Sequence, residues 1–222
     1  MMEVPSLGDE RSLVKAGDTC VFGSDLIEKR PILLVITVPV PVKEANQAER
    51  FVQSRLKDIE KHFELDALRL VRKDAVPKGT KVVGVRFADF DRYEDQECIE
   101  QKSRVAAKGC QQQKGRDCGP TSMPTPDEYA LRCFFAVATL QRIRLENGDD
   151  VSAFLKARRE SPVYIRLPGL YNPKGYLYDA WAGVNGLRDS ANLYWNGCVT
   201  PFYESIGMLA NPYDPCVFMK ID

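Results

Sequence analysis

The chain has 222 residues, 44% of them hydrophobic, and its 31 basic and 31 acidic side chains cancel to a formal net charge of zero. That composition excludes a disordered polypeptide and supports one substantial core, or two small subdomains sharing one. It also excludes any argument from net charge for a nucleic-acid partner, so a basic surface has to be local.

Residues 1–40 form a poorly specified N-terminal segment, punctuated by Gly8, Gly17 and Gly23. Inside it, the run from Ile32 to Val38 is β-branched and closed by Pro39 and Pro41, which reads as a buried or edge strand. It is too late for a signal peptide and far below the length of about 20 residues that spans a bilayer, so no membrane association is expected.

Residues 44–63 read as an amphipathic helix, because Ala45, Ala48, Val52, Leu56, Ile59 and Phe63 recur at three and four residues. Residues 67–118 read as β-rich. Strands are expected at Leu68 to Val71, at Lys81 to Phe87 before Asp89 and Asp91, and at Ser103 to Ala107. Pro77-Lys78-Gly79 marks a turn. From Lys102 to Arg116 there are five basic residues (Lys102, Arg104, Lys108, Lys114, Arg116) and no acidic one. Lys102 and Arg104 alternate along a strand and would share a face able to meet phosphate, although a solvated basic hairpin has the same pattern.

A helix is expected from Thr125 to about Leu140, with Thr125 as cap, Pro126 in the first turn and Glu128 closing a capping box. Short strand signals follow at Arg142 to Leu145, Val163 to Leu167 and Tyr176 to Ala180. Asn147-Gly148 is a two-residue hairpin signal, and the aspartates beside it fit turn chemistry. Ser190 to Ser205 reads as a helix ended by Gly207, yet Gly197 and Pro201 fall inside it, where they cost about 1 and 3 kcal/mol. The last strand is Cys216 to Ile221. Seven cysteines without a Cys-x-x-Cys pair, and a single histidine (His62), argue against a zinc site and suit reduced thiols of an intracellular protein, cytoplasmic or nuclear.

Four stretches in order carry a family resemblance. Gly79-Thr80-Lys81-Val82-Val83-Gly84-Val85-Arg86-Phe87 is similar to a strand that ends in a basic residue and Trp, with Phe87 in place of Trp. Lys102-Ser103-Arg104-Val105-Ala106-Ala107-Lys108-Gly109-Cys110-Gln111-Gln112 resembles Lys-Ala-Arg-Leu-Val-Ala-Lys-Gly-Phe-x-Gln. Asp149-Asp150-Val151-Ser152-Ala153-Phe154-Leu155 precedes Val163-Tyr164-Ile165-Arg166-Leu167-Pro168-Gly169. Val184-Asn185-Gly186-Leu187-Arg188-Asp189-Ser190 is similar to Leu-Tyr-Gly-Leu-Lys-Gln-Ser. Together they resemble a copia-type retrotransposon reverse transcriptase.

The resemblance implies an α+β fold: fingers over about residues 41–124 and a partial palm over about 125–222, with an antiparallel sheet and packed helices. It implies RNA-directed DNA polymerisation by two-metal nucleotidyl transfer, with Mg2+, deoxynucleotides, an RNA template and a DNA primer, inside a longer polyprotein. It makes Asp149 the catalytic metal ligand. A one-residue shift makes Asp150 that ligand instead. Lys102 and Arg104 become nucleotide-phosphate contacts, with Lys108, Lys114 and Arg116 available to nucleic acid. Phe154 becomes the residue under the incoming sugar, although it also reads as core. Arg188 and Asp189 fall at the nucleotide site, with Asp189 replacing a glutamine.

The sequence stops at Asp222, where the resemblance implies that the following strand carries an aromatic-x-Asp-Asp box. The chain alone is therefore expected to lack a complete active site. The alternative is a non-catalytic remnant or a nucleic-acid- or protein-binding module.

Overall fold

The computed structural model describes residues 35–41, 49–94 and 97–220. Among the described residues there are eight strands: β1 (Val35–Pro39), β2 (Leu68–Arg72), β3 (Val82–Glu94), β4 (Glu97–Ala107), β5 (Tyr164–Arg166), β6 (Tyr176–Ala180), β7 (Met208–Ala210) and β8 (Phe218–Lys220). The helices are α1 (Val52–Glu64), α2 (Glu128–Leu140), α3 (Ala153–Lys156), α4 (Ser190–Tyr194) and α5 (Thr200–Ser205). The mixed α and β architecture agrees with the expectation. The main sheet runs β1-β3-β5-β6-β2, with β4 also on β3, and β7 with β8 makes a separate ribbon.

The sheet is not wholly antiparallel. β3 and β5 pair in parallel, with Val82 opposite Tyr164 and Gly84 opposite Arg166, while the other pairings are antiparallel. β1 lies at the edge with Ile36 and Val38 exposed, which selects the edge reading of that run. One core cluster joins both halves of the sequence: Val83, Val85, Phe87 and Val105 from the hairpin, Ile59 from α1, and Val163, Ile165, Leu167, Tyr178, Val184 and Leu187.

The expected strand to Phe87 continues to Glu94, through Asp89 and Asp91. Both carboxylates point inward, where charge is tolerated only when paired. Arg55 meets Asp89 through two hydrogen bonds of 3.1 and 2.7 Å, Ser103 donates to the same carboxylate at 2.6 Å, and Arg50 meets Asp91 at 2.9 Å.

These pairings set the rotation of α1. Its buried side is Arg55, Ile59 and His62, with Phe51 just before it, whereas Val52, Leu56 and Phe63 of the expected apolar face are exposed. The buried side is turned from the apolar periodicity by less than the rotation of about 100° that separates neighbouring residues, because Ile59 belongs to both faces. Asp58 on the same side accepts the Val105 amide of β4 at 2.7 Å. Ala45 and Ala48 of the expected helix lie outside the described residues.

The start of α2 also differs. Its cap is Asp127, whose side chain accepts from the amides of Tyr129 and Ala130 at 2.8 and 3.3 Å. Thr125 is not the cap, and Glu128 is spent on Arg132 one turn away. The Asp127 amide donates to Asp214 at 2.9 Å, which ties the helix start to the chain's last segment.

No strand forms over 142–145, and no strands flank Asn147-Gly148, so that hairpin signal is not used. The expected 190–205 helix is continuous but widened: α4 passes into a π turn at Trp195–Val199 and then into α5. In α geometry Pro201 would leave the Gly197 carbonyl without its donor and would press its ring against it, and the wider turn relieves both. β8 is shorter than expected, and Ile221 lies outside the described residues. No helix among the described residues is long and apolar enough to cross a membrane.

Candidate functional site

Two of the sequence motifs are clasped together by backbone. The Ala107 amide donates to the Asn185 carbonyl at 2.7 Å, and the Gly109 amide donates to the Gly186 carbonyl at 3.1 Å. Gln112 accepts the Arg188 amide at 2.9 Å, Arg188 Nε donates to the Gly109 carbonyl at 3.0 Å, and Gln111 accepts the Gly84 amide at 2.7 Å. The approach is too close for any side chain. A Cβ on Gly109 would lie 2.1 Å from the Gly186 oxygen, and one on Gly186 would lie 2.3 Å from the Ala107 oxygen. Gly186 also holds a φ of +86°, which glycine adopts without strain. The segments at 102–112 and 184–190 are thus one structural unit.

That unit presents the predicted cations. Ser103, Val105 and Ala107 of β4 are buried, which turns Lys102 and Arg104 to the opposite face. Phe90 of β3 lies opposite Lys102, Ala88 opposite Arg104 and Arg86 opposite Ala106, so this face combines three cations with an aromatic ring. Lys102 and Arg104 form no ion pair or side-chain hydrogen bond among the described residues. Lys108 lies just past β4, with its stem beside Gly84.

Lys114 and Arg116 are elsewhere, in the turn at 113–118. Arg116 is held by Asp117 at 3.1 Å and Gln113 at 3.2 Å. Arg116 and Asp189 both line a cavity of about 780 Å³, with Lys81, Glu160, Asn192 and Asn196. Lys102, Arg104, Asp149 and Phe154 are not among its walls.

Asp189 has a partner within the chain. Its carboxylate is buried and accepts from both terminal guanidinium nitrogens of Arg159, each at 2.7 Å. The cation beside this acidic group is a side chain of the chain itself. Arg188, likewise, spends its Nε on the Gly109 carbonyl.

The two neighbouring aspartates are unlike. Asp149 is exposed and has no hydrogen bond or ion pair among the described residues. Asp150 is bound on both oxygens, by Lys156 on one and by the Tyr194 hydroxyl at 2.6 Å on the other. Lys156 and then Tyr194 hold the Asp150 carboxyl below its ordinary range. Burial, and after it the bond to Asp150, pushes the Tyr194 phenol well up. Ser152, at a φ of +61°, turns the chain between the doublet and α3, and Phe154 stands edge-on to Tyr194 at 6.1 Å.

Of the two registers, the one that makes Asp149 the ligand leaves a free carboxylate. Magnesium takes several oxygen ligands in near-octahedral array. Among the described residues, no group of three His, Cys, Asp or Glu side chains could hold a metal ion. The described residues therefore do not fit a complete magnesium site.

Reading residues one at a time missed Arg159, Lys156, Tyr194 and the glutamines 111 and 112. Arg159 lies 30 residues from its partner, and nothing local marks the pair.

The family model described as "Reverse transcriptase (RNA-dependent DNA polymerase)" matches residues 66–222. A curated relative, the retrovirus-related Pol polyprotein from transposon TNT 1-94 of Nicotiana tabacum, is 24% identical over 182 residues, which is 80% of this chain and 13% of that protein. No solved structure matches. The chain thus spans a small part of its relative's length, and by the match over most of its own length it belongs to the reverse transcriptase family, of the copia type of retrotransposon.

Proposed function

We propose that residues of about 41–124 correspond to the fingers, and those of about 125–222 to the first part of the palm, of an RNA-directed DNA polymerase. In this reading the chain keeps the surface that meets nucleotide and template phosphate, and does not extend a primer by itself. The observation that carries it is the pair of cations at Lys102 and Arg104. They stand on one strand face, without acidic partners among the described residues, in a chain whose total charge is zero.

Support comes also from Phe90, opposite Lys102 on the neighbouring strand, because a ring beside cations suits stacked bases and their phosphates. Phe154, half-buried against Tyr194, is the proposed contact to the incoming sugar. Asp149 is the proposed metal carboxylate. With one free carboxylate, no step of nucleotidyl transfer is assigned to this chain. An RNA template, a DNA primer, deoxynucleotides and the remainder of a polyprotein are the proposed partners.

The test is fluorescence anisotropy with an RNA–DNA primer–template at several salt concentrations. Removing one cation from a phosphate lowers the slope of log affinity against log salt by roughly 0.7 to 0.9. Lys102→Ala with Arg104→Ala should therefore flatten the slope by about 1.5. An unchanged slope removes these residues from the proposal. Primer extension with Mg2+ and deoxynucleotides should give no product, and measurable extension would show that the chain assembles a working site.

A further inference from the structure

We propose that the outer apolar side of α2 pairs with the α2 of a second copy of this chain, antiparallel and about a two-fold axis. The pairing goes beyond the polymerase reading and does not rest on it.

α2 is apolar on more sides than its own chain covers. Its polar side chains Glu128, Arg132 and Thr139 lie within about 40° of one another around the helix, and Glu128 holds Arg132. Every other residue is aliphatic, aromatic or Cys133. A helix apolar around most of its circumference is ordinarily buried. Here Ala138, 4% exposed, marks the side turned to the chain itself. A second side, about 150° from the polar stripe and about 110° from Ala138, carries Cys133, Phe134, Val137 and Leu140. All four are exposed, Leu140 to 83%.

The charges at the two ends select the occupant. Asp127 and Glu128 are exposed at the start of α2, and Arg142 and Arg144 are exposed just past its end. Arg142 has no ion pair among the described residues, and Arg144 reaches Glu146 only at 3.8 Å. An antiparallel second α2 sets each acidic start against a basic end and opposes the two helix dipoles. A parallel one would bring like charges together. With the axis level with Phe135, Glu128 stands opposite Arg142 of the second copy, and Cys133 opposite its Val137. The formal net charge of zero leaves no overall repulsion between copies.

Covering Phe134, Val137, Leu140 and the neighbouring Tyr129 removes roughly 500 Å² per copy from water, or about 1,000 Å² in total. That is below the roughly 1,200 Å² of a stable interface, so the pair forms and dissociates with concentration.

Sedimentation velocity of the full chain, from about 1 to about 200 μM, should show a monomer–dimer equilibrium with a Kd of about 10 to 100 μM. Leu140→Lys changes a side chain that the fold leaves exposed. It should raise the Kd about tenfold at an unchanged thermal midpoint. A chain that stays monomeric throughout overturns the proposal and leaves α2 to a segment of another polypeptide. Equal dimerisation of Leu140→Lys also overturns it, because another surface is then in use.

Cross-linking with a copper–phenanthroline oxidant reads the orientation. Val137→Cys should give a covalent dimer in which peptide mapping finds position 137 joined to Cys133 of the second copy. The unaltered chain should form no bond between its two copies of Cys133, because antiparallel packing keeps their Cα atoms beyond the reach of about 7 Å that a disulfide allows. Such a bond would mean parallel packing and overturns the proposal. Failure in either experiment leaves the primer–template reading intact, because that depends on Lys102 and Arg104.

Discussion

Arg159 and Asp189 join through two hydrogen bonds of 2.7 Å each, with 9% and 3% of their surfaces exposed. Removing one member of such a pair leaves a buried charge without its partner, which costs about 3 to 5 kcal/mol. Asp189→Gln, which restores the residue that the family resemblance leads one to expect, should therefore destabilise this chain by about 3 kcal/mol. Arg159→Met combined with Asp189→Leu should lose much less. Urea unfolding of Arg159→Met, Asp189→Leu and their double variant completes the cycle. Additive losses would mean that the two side chains are not coupled.

The clasp between residues 107–109 and 185–188 makes a second prediction. Gly186→Ala combines a φ of +86° with a Cβ 2.3 Å from a carbonyl oxygen, and nearby backbone cannot give way cheaply. Conformational strain and overpacking together should cost about 3 kcal/mol or more. Gly79 supplies the control. Its φ is +83°, yet a Cβ there meets nothing within 4 Å. Gly79→Ala should thus cost only about 1 kcal/mol. Thermal unfolding of both variants checks the difference, and equal losses would show that strain at positive φ, not the close approach, dominates.

Helix α2 makes a third. Phe134 and Phe135 are each 54% exposed, Tyr129 and Leu140 more so, and Ala138 is its one buried residue. Exposed apolar surface on this scale drives association. Phe134→Lys with Phe135→Glu should raise the monomeric fraction on size-exclusion chromatography at unchanged thermal stability. A fall in stability would mean that these rings are packed in solution.

What was legible in the sequence follows the range of each interaction. β6 was readable to the residue, and the strand expected at Val163 to Leu167 to within one residue at each end, because alternation is a local signal. The helix α2 was readable in extent but not in its cap, since Thr125 and Asp127 both offer capping oxygens and Asp214, from 87 residues on, ties down the Asp127 amide. The rotation of α1 was hidden for the same reason. Apolar spacing favoured Val52, Leu56 and Phe63, while Asp89, 34 residues away, draws Arg55 inward. The strand over 142–145 had only four residues of alternation and finds no partner among the described strands. At the candidate site, it is the resemblance that points to Asp149, Lys102 and Arg104. It carried no information on Lys156 or Arg159, whose partners are departures of this chain from the family pattern.

His62 sets the pH dependence of stability. Its ring is buried, Nδ1 lies 2.6 Å from the Asp58 carbonyl, and Nε2 has no partner among the described residues. Burial lowers its pKa below the usual 6.5, and the nearby Asp58 offsets this only in part. The folded chain therefore binds the proton less readily than the unfolded chain does. This contribution to stability is complete above about pH 6.5 and is lost as pH falls from there through the folded pKa, with a slope of up to about 1.4 kcal/mol per pH unit. Asp179, whose carboxyl is raised by burial, acts in the opposite sense, because there the folded chain binds the proton more readily than the unfolded chain does. His62→Gln should flatten the slope between pH 6.5 and 5. Urea midpoints at pH 7.5, 6.5 and 5.5 give the answer, and a variant that keeps the full slope would place the titrating group elsewhere.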